Sequence, residues 1–123
     1  MSVVIREYTA ADRPVVEAHL VEFQDHERKR EADYAPGAEI AGPYLSGLLG
    51  KMADGRGKIL LVRVAGVEAG YACFHVEAAP LRTFPDHLVV DDIYLAPGFR
   101  GMGIGRRFLE MAESFGRERG CPR

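Results

Sequence analysis

Two stretches near the end of this 123-residue chain hold residue types that could do chemistry. In Arg100-Gly-Met-Gly-Ile-Gly105, glycines at 101, 103 and 105 run straight into a helix-like segment that opens with Arg106. A bare backbone at the mouth of a helix suits an anion, because unbonded N–H groups and the positive end of the helix dipole converge there. The dipole alone contributes ~0.3–2 kcal/mol, and each charge-assisted hydrogen bond adds roughly 1.5–3 kcal/mol. Glycine removes the Cβ and admits positive φ, so a pyrophosphate can lie directly on the main chain, with Arg100 and Arg106 adding positive charge on either side. Shortly before this corner, Asp91 and Asp92 supply adjacent carboxylates, which repel if both are buried and charged.

Two phosphate-binding patterns fail on this segment. A P-loop needs Gly-x4-Gly-Lys-Ser/Thr, and the lysine is absent. The dinucleotide pattern GxGxxG has Arg106 where its third glycine belongs, and no second βα unit follows to supply a ribose-binding acid.

The elements that must position these residues are legible in outline. Val3 to Tyr8 is a β-branched run suited to a first strand. Thr9-Ala-Ala-Asp12 offers capping oxygens, and Pro14 in a first turn favours Asp12 as the cap. Val16, Leu20 and Phe23 form an apolar stripe carrying a helix to about Arg30, and Ala35-Pro-Gly37 breaks it. A second helical period runs from Ala38 to Ala53 through Ile40, Tyr44, Leu45, Leu48, Leu49 and Met52, interrupted by Gly42, Pro43 and Gly47. Lys58 to Val64 and Val67 to Glu77 read as antiparallel strands joined by an Ala65-Gly66 hairpin turn. Ala79 to Pro85 is a loop, and His87 to Leu95 is a fourth strand. Ile104, Phe108, Met111 and Phe115 give the last helix a face that packs on the sheet. The predicted order is β-α-α-β-β-β-α, an α/β (α+β) fold of mostly antiparallel sheet flanked by helices.

Composition limits the function classes. Length favours one domain spanning 1–123, with 47% hydrophobic and 28% charged residues as in ordinary globular proteins. A net charge of -2 gives no electrostatic reason to expect nucleic acid. No apolar run approaches the ~20 residues of a membrane span, and residues 1–6 do not read as a signal peptide, so the expectation is a cytoplasmic protein without a membrane partner. Cys73 and Cys121 lack metal or disulfide spacing and read as plain thiols. His19, His26, His75 and His87 are scattered; the i, i+7 pair His19 and His26 reads as a solvated helix face, and no metal is expected.

The Arg-x-x-Gly-x-Gly pattern from Arg100 to Gly105 resembles the acetyl-CoA signature of the GNAT superfamily of N-acetyltransferases. The longer stretch "VVDDIYLAPGFRGMGIGRRFLE" is similar to that family's fourth strand, turn and third helix, and the resemblance covers essentially the whole chain, residues 88 to 110 most specifically. It implies that acetyl-CoA is the acetyl donor, with its pyrophosphate on Arg100, Gly101, Met102, Gly103, Ile104, Gly105 and Arg106, and its pantetheine arm and acetyl group along the main chain of Ile93, Tyr94 and Leu95. The N–H of Ile93 is the expected donor to the thioester carbonyl. Asp91 and Asp92 occupy positions where related enzymes place a carboxylate that serves as base. In a regular strand they point to opposite faces, so one at most meets the amine, and Asp91 is the preferred choice. The alternative is a carboxylate that orders a neighbouring loop. Tyr71, Cys73, His75 and Glu77 share a strand face that could line the acceptor cleft, and the segment from Gln24 to Glu39 would adjoin it.

The family's fold continues with further strands and a helix, whereas this sequence stops at Arg123, so the usual tyrosine acid has no counterpart here. The expectation is either a homodimer that covers the exposed strand edge or a shortened version of a longer protein. The implied function is direct acetyl transfer to a primary amine of a small molecule or amino acid; the alternative is a non-catalytic CoA-binding or interaction module.

Overall fold

The structure is a computed structural model that describes residues 2–30, 35–78 and 86–121. Strand β1 (Val3–Glu7) leads through a 3₁₀ turn (Ala10–Asp12) into helix α1 (Arg13–Arg30), followed by α2 (Gly37–Met52). Then come β2 (Gly57–Val64), β3 (Val67–Glu77), β4 (His87–Leu95) and α3 (Ile104–Glu118). The predicted order β-α-α-β-β-β-α is thus observed. The expected loop from Ala79 to Pro85 lies outside the described residues.

The strands form one sheet in the order β1-β2-β3-β4 with every neighbour antiparallel, so β4 is an edge strand among the described residues. Strand alternation sends side chains to two faces, and each face has its own helical cover. On one face Leu60, Val62, Ala72, Phe74 and Val76 pack with Ile104, Phe108, Ala112 and Phe115 of α3. On the other, Ile59, Leu61, Tyr71, Cys73 and Tyr94 pack with Val16 and Leu20 of α1 and Ala41, Leu45 and Leu48 of α2. Burial of these side chains, at roughly 1.5–3 kcal/mol each, holds both layers to the sheet. No helix among the described residues is long and apolar enough to cross a membrane.

Two local expectations change. Asp12 does not cap α1: its carboxylate accepts the Thr9 N–H at 2.8 Å and two guanidinium bonds from Arg6 at 2.7 and 2.8 Å, so Thr9 opens the 3₁₀ turn that precedes the helix. Those bonds, the Arg6 pair first, hold the Asp12 carboxyl far below the usual carboxylate range. In α3 the buried face runs through Ile104, Phe108, Ala112, Phe115 and Gly116, and Met111 is exposed, because at about 100° per residue that arc is centred toward Ala112 and Met111 falls just outside it.

Candidate active site

Strand β4 and the turn behind it bring together two unlike sites. At its end, residues 96–103 turn the chain into α3, and Gly103, at φ 80°, takes the position that caps the helix with no side-chain hydrogen bond. The N–H groups of the helix's first turn have no carbonyl one turn earlier to accept them, so they face outward unpaired by the helix itself. Gly101 also has a left-handed φ of 79°. A Cβ built on Gly101, Gly103 or Gly105 would meet nothing within 4 Å, whereas one on Gly57 or Gly70 would strike the main chain of the adjoining strand. Gly57 and Gly70 are therefore needed by the fold's own packing; at the corner Gly101 and Gly103 are needed for their left-handed φ, and Gly105 is needed for neither reason. Gly105 in particular lies within α3, where glycine costs roughly 0.5–1 kcal/mol against alanine, so its bare backbone fits a group that comes from outside. The residues present fit a diphosphate. Of the flanking arginines, Arg100 donates from Nε to the Leu95 carbonyl at 2.9 Å, and Arg106 is exposed with Glu110 at 3.4 Å.

Next to this corner is the free edge of β4. Tyr94 pairs with Tyr71, and the Ala96 N–H bonds the Ala69 carbonyl. Since bonded and non-bonded positions alternate in an antiparallel pair, the N–H and C=O of Ile93 and Leu95 face away from β3. The amide of Ile93 is thus open at the edge. The Tyr94 side chain turns inward, stacks on Phe23 at 5.6 Å and donates to Glu22 at 2.7 Å; burial, helped by Glu22, pushes its pKa up to about 12.

The second site lies midway along β4, and here the strand is irregular. Cys73 pairs with Asp92 while the next residue, Phe74, pairs with Val90, which leaves Asp91 as an extra residue in a β-bulge. The expectation that Asp91 and Asp92 point to opposite faces is therefore overturned. Both carboxylates address the face under α1 and α2. Asp92 Oδ2 accepts the Tyr44 hydroxyl at 2.9 Å and the Tyr71 hydroxyl at 3.2 Å, with Cys73 Sγ at 3.9 Å. Asp91 Oδ2 lies 2.7 Å from His75 Nδ1, and its Oδ1 lies 3.5 Å from Lys51 Nζ. His75 Nε2 in turn lies 3.3 Å from Glu77.

Burial raises the pKa of Asp92, the two tyrosine hydrogen bonds pull it back, and the charge of Asp91 pushes it up again. Burial and the Asp92 carboxylate raise Tyr44, Tyr71 and Cys73, so the Cys73 thiol stays protonated near neutral pH. A cleft of about 460 Å³ opens on Asp92 and Tyr44, walled by Leu20, Phe23, Gln24, Glu27 and Ile40. Asp91, preferred from sequence, does not line it. His75 and Cys73 are buried behind it with Tyr71, as the shared strand face predicts, and Glu77 is exposed.

Comparison with known proteins decides the family. The profile of the acetyltransferase (GNAT) family matches residues 14–123. The chain belongs to this family. Streptothricin acetyltransferase from Streptomyces lavendulae is 39% identical over 75 residues, a stretch covering 61% of this chain and 36% of that protein. The chain thus spans little more than a third of the curated relative it matches. Two solved structures share the fold. A GCN5-related N-acetyltransferase from Ralstonia eutropha JMP134 superposes with a TM-score of 0.73 at 22% identity, covering 98% of this chain and 79% of that one. A predicted acetyltransferase with acetyl-CoA from Clostridium acetobutylicum gives 0.73 at 16% identity, covering 98% and 77%.

Within this GNAT chain, sequence reasoning missed Tyr44 and Lys51, the two α2 side chains that reach the carboxylates. Their spacing of one heptad on an amphipathic helix was the available signal, since it puts both on one face. His19 and His26, the i, i+7 pair, part company: His19 is buried against Tyr71 and Tyr94, and His26 is exposed.

Proposed function

We propose that this chain is an acetyl-CoA-dependent N-acetyltransferase that passes the acetyl group directly to a primary amine of a small molecule or amino acid. The observation that carries the reading is the glycine corner: three glycines that internal packing does not require, at a helix mouth, beside the free edge of β4. In this reading Gly101 to Arg106 hold the pyrophosphate with Arg100 at the rim, and the edge of Ile93, Tyr94 and Leu95 pairs with the amide-rich pantetheine arm as an added strand would. Acetyl-CoA bound there would supply an activated acetyl group. The Ile93 N–H, open at the edge, is placed to bond the acyl oxygen where negative charge develops.

The amine enters through the cleft that ends on Asp92. Glu27 and Asp92 make its polar wall acidic and Leu20, Phe23 and Ile40 make the rest apolar, which suits an ammonium on a short organic chain. Asp92 takes the proton that must leave before the nitrogen can attack, and its raised pKa brings it closer to the amine's working range. Direct transfer is favoured over an acetylated cysteine because Cys73 is buried and its pKa is raised. Two free buried thiols also fit a reducing cytoplasm, where we place the reaction. Among the described residues no strand pairs with the outer edge of β4 at Leu88 to Val90, beyond the donor's reach, which supports pairing with a second copy of the chain; sedimentation showing only monomer at micromolar concentration removes that part of the reading.

The test is thermal shift with acetyl-CoA followed by thiol release against a panel of small amines. Stabilisation with release is the expected result. Stabilisation with no release on any amine leaves a CoA-binding module, and no stabilisation overturns the site.

A further inference from the structure

The bulge gives Asp91 and Asp92 different neighbours on the same face, although the two carboxylates are adjacent in sequence. Asp91, with its side chain only 7% exposed, lies between the ammonium of Lys51 and the ring of His75, itself 5% exposed. The far side of that ring meets Glu77, which also pairs with His87 at 3.3 Å. Asp92 meets neutral phenols and a thiol, and it alone of the two opens on the cleft. Adjacent carboxylates under one roof repel if both are charged, and such a pair settles by placing its proton on one member.

We propose that Lys51 and His75 are positioning residues that hold a negative charge on Asp91, at the wall, so that of the two carboxylates Asp92, inside the cleft, is the one that takes up the amine's proton. This rests on the acetyl-transfer reading for its purpose, but the charge division itself is a property of the free protein. In the reaction one ammonium N–H bond breaks and one Asp92 O–H bond forms, with the electron pair left on nitrogen. The fixed charge on Asp91 raises Asp92's hold on that proton. Lys51 limits the effect and keeps Asp92 able to release the proton to water afterwards.

Among the described residues, the charged and titratable groups around the pair are Tyr44 and Lys51 from α2, Tyr71, Cys73 and His75 from β3, and Glu27 across the cleft on α1. Around His75 they are Asp91 and Glu77, with Lys51 on the other oxygen of Asp91 and Arg56 bonding the carbonyl of Val76 beside the ring. Of these only Lys51 is a permanent cation next to the carboxylates, and its side chain is 52% exposed, so it can be replaced with little risk to folding.

The experiment follows the Asp92 carboxyl carbon by NMR across pH in the ligand-free full chain, beside the pH dependence of kcat/KM. Asp91→Asn should move the Asp92 midpoint, and the acid limb of kcat/KM, down by about one pH unit; Lys51→Met should move both up by a similar amount, and Lys51→Arg should restore them. His75→Leu, which removes the ring that holds the Asp91 carboxylate, should move the Asp92 midpoint down, and His75→Gln, which keeps an N–H donor, should leave it in place. A His75→Leu chain that fails to fold leaves the Lys51 series to decide. If Asp92 titrates identically in wild type, Asp91→Asn and Lys51→Met, the charge division is wrong, whether or not amines are acetylated. If the midpoints move as stated but no amine is acetylated, the division holds and the acetyl-transfer reading falls.

Discussion

At the end of β4, Gly101, Gly103 and Gly105 present main chain with no atom where a side chain would start, whereas midway along the strand Asp91 and Asp92 are held by side chains from α2 and β3. The first region works through what the sequence omits and depends on one local turn. The second works through convergence of three elements and depends on a bulge between two strands. Binding and proton transfer are therefore separable here: a change at the corner should affect the donor and spare the base, and a change at the bulge should do the reverse.

The largest separation is expected from Gly103→Val. It places a β-branched side chain at φ 80°, costing about 1–2 kcal/mol of local strain, and fills the space proposed for phosphate. Loss of two charge-assisted hydrogen bonds should weaken acetyl-CoA binding by on the order of 100-fold or more in calorimetry, with the Asp92 titration unchanged.

Asp92→Asn should leave acetyl-CoA affinity intact and lower turnover by about 10²–10⁴-fold, the range for a lost general base. It should also melt higher than wild type near neutral pH. The sign follows from linkage: the folded-state pKa of Asp92 is raised, so its contribution to stability is complete below the unfolded carboxylate range and is lost as pH rises through the folded value. Asparagine does not ionise, so the advantage over wild type should vanish in acid; a variant that melts lower at neutral pH breaks this account of the cleft.

Gly105→Ala comes next, with opposite signs for stability and binding. An alanine in the first turn of α3, with open space around its Cβ, should stabilise the fold by ~0.5–1 kcal/mol and yet weaken acetyl-CoA binding by about tenfold. A tighter complex from the more stable variant would show that the corner holds no ligand.

Tyr44→Phe should have the smallest effect. The exposed hydroxyl gives Asp92 one of its two phenol bonds, and that bond lowers the Asp92 pKa. Its removal should move the acid limb of kcat/KM up by a few tenths of a pH unit with a stability change within about 0.5 kcal/mol. A downward shift would mean that Tyr44 does not donate to Asp92.

The contrast also explains what could be read from sequence. The corner was legible because glycine spacing, the arginines and the turn into a helix are contiguous from Arg100 to Arg106. The element order was legible for the same reason: β-branched runs and the Val16, Leu20 and Ile104, Phe108 stripes are local patterns. The bulge at Asp91 was not, since it exists only in the register of β4 against β3, and neither strand shows it alone. The same limit hid the roles of Tyr44 and Lys51, which become partners of the carboxylates only when α2 lies across the sheet. Asp12 was misread as a cap because its stronger partner, Arg6, lies on the preceding strand.

The most direct measurement of the central claim is an amide NMR titration of the chain with CoA. The N–H resonances of Gly101, Gly103, Gly105 and Arg106 should shift together, saturably, and ahead of those in α1 and α2. Saturable binding that leaves these four amides unmoved while others respond would contradict the account.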